Sequence, residues 1–343
     1  MTSKRPQIMK FSIKQIAAQS GVSKATVDRA LHKRGSVHPQ TERRIAAAIR
    51  DLELQQRVNL ASGRTLNIDV VLHTPERFSS LVSAALLSQL GSLAPFRLML
   101  RFHVFEQIDA KSLRQLLLRC GSDSYGVILK VSDESPLNAS VEELLHQRVP
   151  VVTLVTDLPD SARIRYVGMD NGSAGRTAAY LLSRWLGPQP HSVAVVLSSA
   201  GFRGEEERVA GFSDGLRQLA PQHNVVRISE GYGVDSLTFE RVSDALVSDP
   251  AISAVYCVGG GNRAIFRAFT SQQRSLRAFI AHDLDEENRE MLAERQLDAV
   301  IDHDLRADAR TALQAILRFH GFLPPEEEAG VFSRVNVVTP FNL

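Results

Sequence analysis

From Asn67 onward the chain alternates short apolar runs with amphipathic stretches of helical length, and no other feature constrains its fold as strongly. Ile68–Leu72, Phe96–Val104, Gly126–Leu129, Val149–Val155, Ser192–Leu197, Val225–Ile228, Ala254–Val258, Phe279–Ala281 and Ala299–Asp302 read as strands. Leu81–Leu90, Val141–His146, Gly172–Trp185, Glu205–Leu219, Thr238–Leu246, Asn262–Phe269, Glu286–Glu294 and Ala307–His320 read as helices. A helix between two strands carries the chain back over the sheet face, so the strands pair in parallel. About eleven strands is many for one twisted sheet, so the pattern predicts two doubly wound lobes. Such sheets bind ligands beyond the carboxyl ends of their strands, and two lobes facing each other enclose a cleft.

The first 64 residues follow a different rule. They hold thirteen Lys/Arg and four Asp/Glu, a net charge of +9, while the rest of the 343-residue chain holds 27 and 34, a net −7. A basic head on an acidic body is expected where only the head meets a polyanion. Ser12 followed by Gln15 forms a capping box, Ile13, Ile16 and Ala17 give an apolar face, and Gly21 supplies a left-handed stop. Ser23 caps a second helix over Lys24–Leu31, with Val27, Ala30 and Leu31 inward and Lys24, Ala25, Thr26, Asp28 and Arg29 outward. A third helix starts near Pro39 and carries an Ile45, Ala46, Ile49 and Leu52 face. This is a helix-turn-helix, whose second helix fits the major groove of double-stranded DNA.

The segments Phe11–Ala17, Ala18–Ser23, Ala25–Val27 with Arg29, and Val37–Thr41 with Arg44 and Ile45 make the head resemble the LacI/GalR family. The body resembles the ribose-binding type of that family's periplasmic-binding-protein-like effector domain. The likeness rests on Val151–Asp157, Pro159–Ser161, Tyr166–Asn171, Gly175–Ala178, Glu207–Phe212 and Thr339–Asn342. The fold expected is therefore α/β: a small all-α helix-turn-helix domain (1–54), a hinge (55–66), and a two-lobed body of doubly wound parallel sheets (67–343). Lobe one spans about 67–166 and 302–318, and lobe two about 167–301 and 319–343.

On this resemblance Ser23, Lys24, Ala25, Thr26, Asp28 and Arg29 face operator DNA, with Leu60 as a minor-groove wedge in a linker that lacks the family's proline. Asp28 stands where the family usually has Ser. A carboxylate there must accept from a cytosine amino group or pair with Arg29. His38 replaces the usual Ser cap. In the body the resemblance selects Phe78, Asp133, Asp157, Arg208, Asn262, Asp283 and His303 as the ligand set, with Asp170 and Asn171 at the hinge. Gly259–Gly261 lets backbone amides approach a ligand.

No metalloprotease, nucleophile-elbow or P-loop motif occurs, and Cys120 and Cys257 have no metal-ligand spacing. No catalytic residue, metal or cofactor is expected. No apolar run reaches the roughly 18 residues of a spanning helix, and the basic start lacks a signal-peptide core, so a cytoplasmic protein is expected. Without a further heptad helix at its end, it is expected to be a homodimer. The function implied is a ligand-responsive regulator, a repressor of a carbohydrate or polyol operon whose effector is a sugar, polyol or sugar acid. The alternative is a cytosolic sugar-binding protein or sugar-modifying enzyme with an appended DNA-binding head.

Overall fold

A computed structural model describes residues 11–61, 63–133, 135–326 and 332–343, with side chains described for all of these except 54–61, 135 and 136. It divides into two compact units, one centred on the first 65 residues and one on the α/β body.

The head has three helices, α1 (Ile13–Ser20), α2 (Lys24–His32) and α3 (Pro39–Ala61). The capping box is complete: Ser12 Oγ accepts from the Gln15 amide, and Gln15 Oε1 accepts from the Ser12 amide at 2.9 Å. Gly21 ends α1 in the left-handed region, φ 65°, and Arg44 of α3 donates to the Ser20 carbonyl at 2.9 Å. Ile16, Ala17, Val27 and Ile45 form the small core. Ala48 shares the buried face of α3 with Ile45. Ala46, expected there, is exposed, because the helical repeat sets 45, 48, 49 and 52 on one side. His38 does cap α3, its Nδ1 accepting from the Gln40 amide at 3.2 Å. The backbone of α3 runs on through Ala61, so residues 55–61 of the expected hinge continue the third helix. The side chain of Leu60 lies outside the described residues.

The body opens with β1 (Thr65–His73), α4 (Glu76–Gln89), β2 (Arg97–Phe105), α5 (Ala110–Cys120), β3 (Gly126–Lys130), α6 (Ser135–His146), β4 (Val151–Leu154) and β5 (Arg165–Val167). These strands form one sheet in the order β2-β1-β3-β4-β5. There follow α7 (Asn171–Trp185), β6 (Ser192–Val196), α8 (Arg203–Leu219), β7 (Asn224–Ile228), α9 (Asp235–Ser248), β8 (Ile252–Cys257), α10 (Asn262–Ser271), β9 (Ala278–His282), α11 (Glu286–Ala293), β10 (Ala299–Asp302), α12 (Leu305–Phe319) and β11 (Asn336–Val338). The second sheet has the order β11-β10-β9-β8-β6-β7, and only β11 runs antiparallel to its neighbour. The α/β architecture of two largely parallel sheets is thus as the alternation predicts.

Helix α5 is absent from the sequence reading. Asp109 caps it, accepting from the Ser112 amide at 3.0 Å, and Leu113, Leu116, Leu117 and Cys120 bury the i, i+3, i+4, i+7 stripe. Among the described residues the chain passes between the lobes at three places. Gly168–Asp170 lies beside Ser333, whose amide donates to the Gly168 carbonyl at 2.9 Å, and His303–Asp304 is the third crossing. α12 returns to the first lobe, where Arg310 donates to Gln89 at 3.0 Å.

Candidate functional site

The carboxyl ends of β1, β3 and β4 face those of β6, β8 and β9 across a cleft. It holds a cavity of about 70 Å³, several times the roughly 10–15 Å³ that one water needs. Lobe one contributes Thr74, Arg77, Phe78, Lys130, Val155 and Thr156; lobe two contributes Ser198, Phe202, Glu205, Arg208, Asp283 and Asp285, with the backbone of Val258–Gly260.

Arg208 is 4% exposed. Its Nε donates to Asn171 Oδ1 at 2.9 Å and its Nη1 to the Val258 carbonyl at 3.5 Å, so α7 aims the guanidinium. The two helices touch backbone to backbone, which only glycine allows: a Cβ on Gly211 would sit 2.2 Å from the Gly172 carbonyl oxygen. Asn171 therefore positions the arginine, while Asp170 caps α7 through Ser173. Glu205 stands one turn before Arg208 on α8. It accepts from the Ser198 amide at 2.8 Å and hydroxyl at 2.6 Å, and burial pushes its carboxyl above the usual range.

Lys130 ends β3 and is 8% exposed. Its ammonium lies 5.3 Å from the Phe78 ring centroid and 4.7 Å from that of Phe202, a cation held between two aromatic faces from opposite lobes. Burial pulls it down to about 8; Glu205 and Asp283 favour its charged form, and Arg208 opposes it.

Two lining residues sit in strained backbone. Val155, β-branched, has φ 68° inside a tight turn closed by the Thr156 amide on the Leu154 carbonyl at 2.8 Å. This turn sets Thr156 Oγ1 to accept from the Gly204 amide at 3.2 Å. Asp283 has φ 66°, and its Oδ1 is buried without a hydrogen-bond partner among the described residues.

Of the seven residues expected here, Phe78, Arg208 and Asp283 line the cavity; the other four do not. His303 lies behind Asp283, its Nε2 3.7 Å from Asp283 Oδ1 and its Nδ1 bonded to Asp308 at 2.6 Å. Burial works against its charge, yet the bond to Asp308 and the fields of Asp283 and Asp308 hold its pKa above the ordinary value. Asn262 bonds Asn288 at 2.7 Å, and Asn288 holds the His282 and Asp283 carbonyls, so Asn262 braces the Asp283 loop from behind. Asp157 is paired with Arg163 and accepts from Thr153 at 2.8 Å, on the hinge side. Asp133 faces Arg203 of the other lobe at 3.4 Å, and its amide donates to the Gly201 carbonyl at 3.0 Å. Opposite it, Arg77 reaches Asp285 at 2.9 Å and Glu287 at 2.6 Å. These pairs clasp the lobes across the cleft.

The sequence reading missed Lys130 and Glu205. A charge closing the apolar run Gly126–Leu129, and a Glu three residues before Arg208 on one helix face, were the available signals. It also missed a cluster outside the cleft. Asp69, His103 and Cys120 bring ligand atoms within 4.8 Å of one another, but Asp69 is held by Arg101 through two bonds (3.0 and 2.6 Å) and bonded to His103 Nε2 through a third (2.8 Å).

In the head, Ser23 accepts from the Thr26 amide at 3.2 Å and so caps α2. Lys24, Ala25 and Arg29 are exposed, and Thr26 is half-buried. Arg29 folds back toward the Ala25 carbonyl and the Thr26 hydroxyl, both at 3.4 Å. Asp28 is not paired with Arg29. It pairs with His32, one turn on along α2, at 2.9 Å, and with Arg34, which the left-handed Lys33 turns back past the helix end, at 3.7 Å.

The model of bacterial regulatory proteins of the lacI family matches residues 12–55, and the periplasmic binding protein domain model matches 121–319, more than half of the chain. The chain belongs to the periplasmic binding protein domain family and carries a lacI-family head. Solved structures share this body fold. GanP, a glucose-galactose binding protein from Geobacillus stearothermophilus, is 20% identical, with a TM-score of 0.71 over 82% of this chain and 99% of its own. A solute binding protein from Burkholderia graminis in complex with D-arabinose is 18% identical, with a TM-score of 0.72 over 81% and 96%. A candidate LacI transcriptional regulator from Bacteroides fragilis is 14% identical, with a TM-score of 0.71 over 81% and 98%. No curated protein matches this chain as a relative. Among the described residues, no helix is long and apolar enough to cross a membrane.

Proposed function

We propose that this protein is a DNA-binding transcriptional regulator that senses a small sugar-like molecule in the cleft of its body. The observation that carries the reading is the pairing, in one chain, of a lacI-family head with a two-lobed cleft lined by Arg208 and Asp283. The DNA-facing set is Lys24, Ala25, Thr26, Asp28 and Arg29 at the outer edge of α2, with Ser23 as its cap and Leu60 as the wedge. The ligand set is Phe78, Lys130, Glu205, Arg208 and Asp283, with Asn171, Asn262 and His303 as positioning residues. Further parts of the proposal are repression of a carbohydrate or polyol operon, a cytoplasmic homodimer on a two-fold operator, and the absence of catalysis. Ligand binding changes the lobe arrangement, and linkage requires DNA to alter ligand affinity by the factor with which ligand alters DNA affinity.

Gel shift on selected operator fragments tests the head: Arg29→Ala abolishes specific binding, and unchanged specificity sinks the recognition-helix assignment. A thermal-shift panel of pentoses, hexoses, polyols and sugar acids tests the body. If Arg208→Ala leaves the stabilising ligand's shift intact, the cleft assignment is wrong. Turnover of any sugar in that panel would favour the enzyme alternative.

A further inference from the structure

We propose that the effector is a hydroxylated anion, a sugar acid or sugar phosphate, whose negative group lies between Lys130 and Arg208 and whose hydroxyls are taken by Asp283. The inference rests on the sensor reading and deepens it.

The cavity leaves some of its charges unmatched. Arg77 is neutralised by Asp285 and Glu287. Glu205 is satisfied by two donors of Ser198. Lys130 makes no ion pair or hydrogen bond among the described residues: it is 8% exposed, lines the cavity, lies over the faces of Phe78 and Phe202, and meets Glu205 and Asp283 only through their fields. A buried ammonium needs a counter-charge or several acceptors, and aromatic faces supply only part of either. Arg208 adds a second cation close enough to disfavour the first. An anion between them relieves both, whereas a neutral hydroxyl leaves their repulsion in place. On the other wall, Asp283 Oδ1 makes no hydrogen bond among the described residues, His303 Nε2 standing off at 3.7 Å, and an acceptor-only carboxylate calls for ligand hydroxyls. One wall therefore asks for negative charge and the other for O–H donors. A polyol carrying one acidic group meets both, and a simple neutral sugar meets only the second.

The experiment uses the full chain and matched probes in isothermal titration: D-gluconate against D-glucitol, D-arabinonate against D-arabinitol, and D-ribose 5-phosphate against D-ribose. The carboxylate and phosphate arms separate the two sources of the anion. An acidic member is expected to bind at least about tenfold tighter than its neutral partner. Lys130→Gln is expected to remove that advantage while leaving the unliganded melt unchanged. If Lys130→Gln does not fold, wild-type protein still decides. The acid's affinity falls as pH rises from 7 to 10 and Lys130 loses its proton in the field of Glu205, Asp283 and Arg208, the charged groups that face it. The neutral partner's affinity does not follow. Neutral probes that bind as tightly as the acids, or an acid affinity unmoved by Lys130→Gln or by pH, overturn the inference and leave the sensor reading standing. No binding by any probe overturns the sensor reading as well.

Discussion

The packing of α7 against α8 allows one substitution to test how the cleft is built. In Gly175→Ala the new Cβ would lie 2.0 Å from the Arg208 carbonyl oxygen and 2.7 Å from the Phe212 amide nitrogen. Ordinary contact begins near 3.4 Å, so the shortfall is about 1.4 Å against backbone, which has no rotamer to turn away. Overpacking typically costs about 1–3 kcal/mol, and a backbone clash of this depth belongs at the upper end. At about 2–4 °C per kcal/mol for a domain of this size, the body's melting transition falls by about 6–12 °C. The atom struck belongs to Arg208, whose Nε is held by Asn171 of α7, so parting the helices also draws the guanidinium off the cavity wall. Ligand affinity should therefore fall along with stability. Gly91→Ala is the control: its Cβ meets nothing within 4 Å, and its melt should match wild type. The assay is differential scanning calorimetry with and without the stabilising ligand. If Gly175→Ala melts within 1 °C of wild type and binds normally, the account of helix contact positioning Arg208 is refuted.

Two further outcomes follow from local chemistry. His303 has a raised pKa, so its contribution is fully present below its unfolded value of about 6.5 and is lost as pH rises through the higher folded value. Asp308→Asn removes the partner that raises it, and the variant should trail wild type by about 1.5–3 kcal/mol at acidic pH, with the gap closing as pH climbs past 6.5. Urea unfolding across that range checks it, and a gap that widens with pH contradicts the assignment. Ser23→Ala removes the α2 cap and should lower the head's stability by about 1 kcal/mol, read by circular dichroism during denaturant unfolding; an unchanged midpoint would dismiss the cap's role.

Much of this protein was legible in its residue order, because local rules carry local structure. Ser12 with Gln15, Gly21 and Ser23 mark helix ends through side-chain and backbone chemistry within a few residues. Alternation of strand and helix implies parallel sheets, and their number implies two of them. Arg208, Phe78 and Asp283, expected in the cleft, do line the cavity, although Phe78 stands in the first turn of α4 and not in a loop after β1.

What sequence distance concealed, the tertiary structure decided. Asp133, Asp157, Asn262 and His303 look alike as polar residues at strand and helix ends. Only the fold gives each its partner: Arg203, Arg163, Asn288 and Asp308 respectively. Lys130 reads as the end of an apolar strand, yet closure of the lobes sets it between Phe78 and Phe202, 124 positions apart in the chain. The periodicity of a chain specifies which face of an element is apolar. Which charges remain unpaired in a cavity depends on every element that packs there, and that is settled only when the two sheets meet.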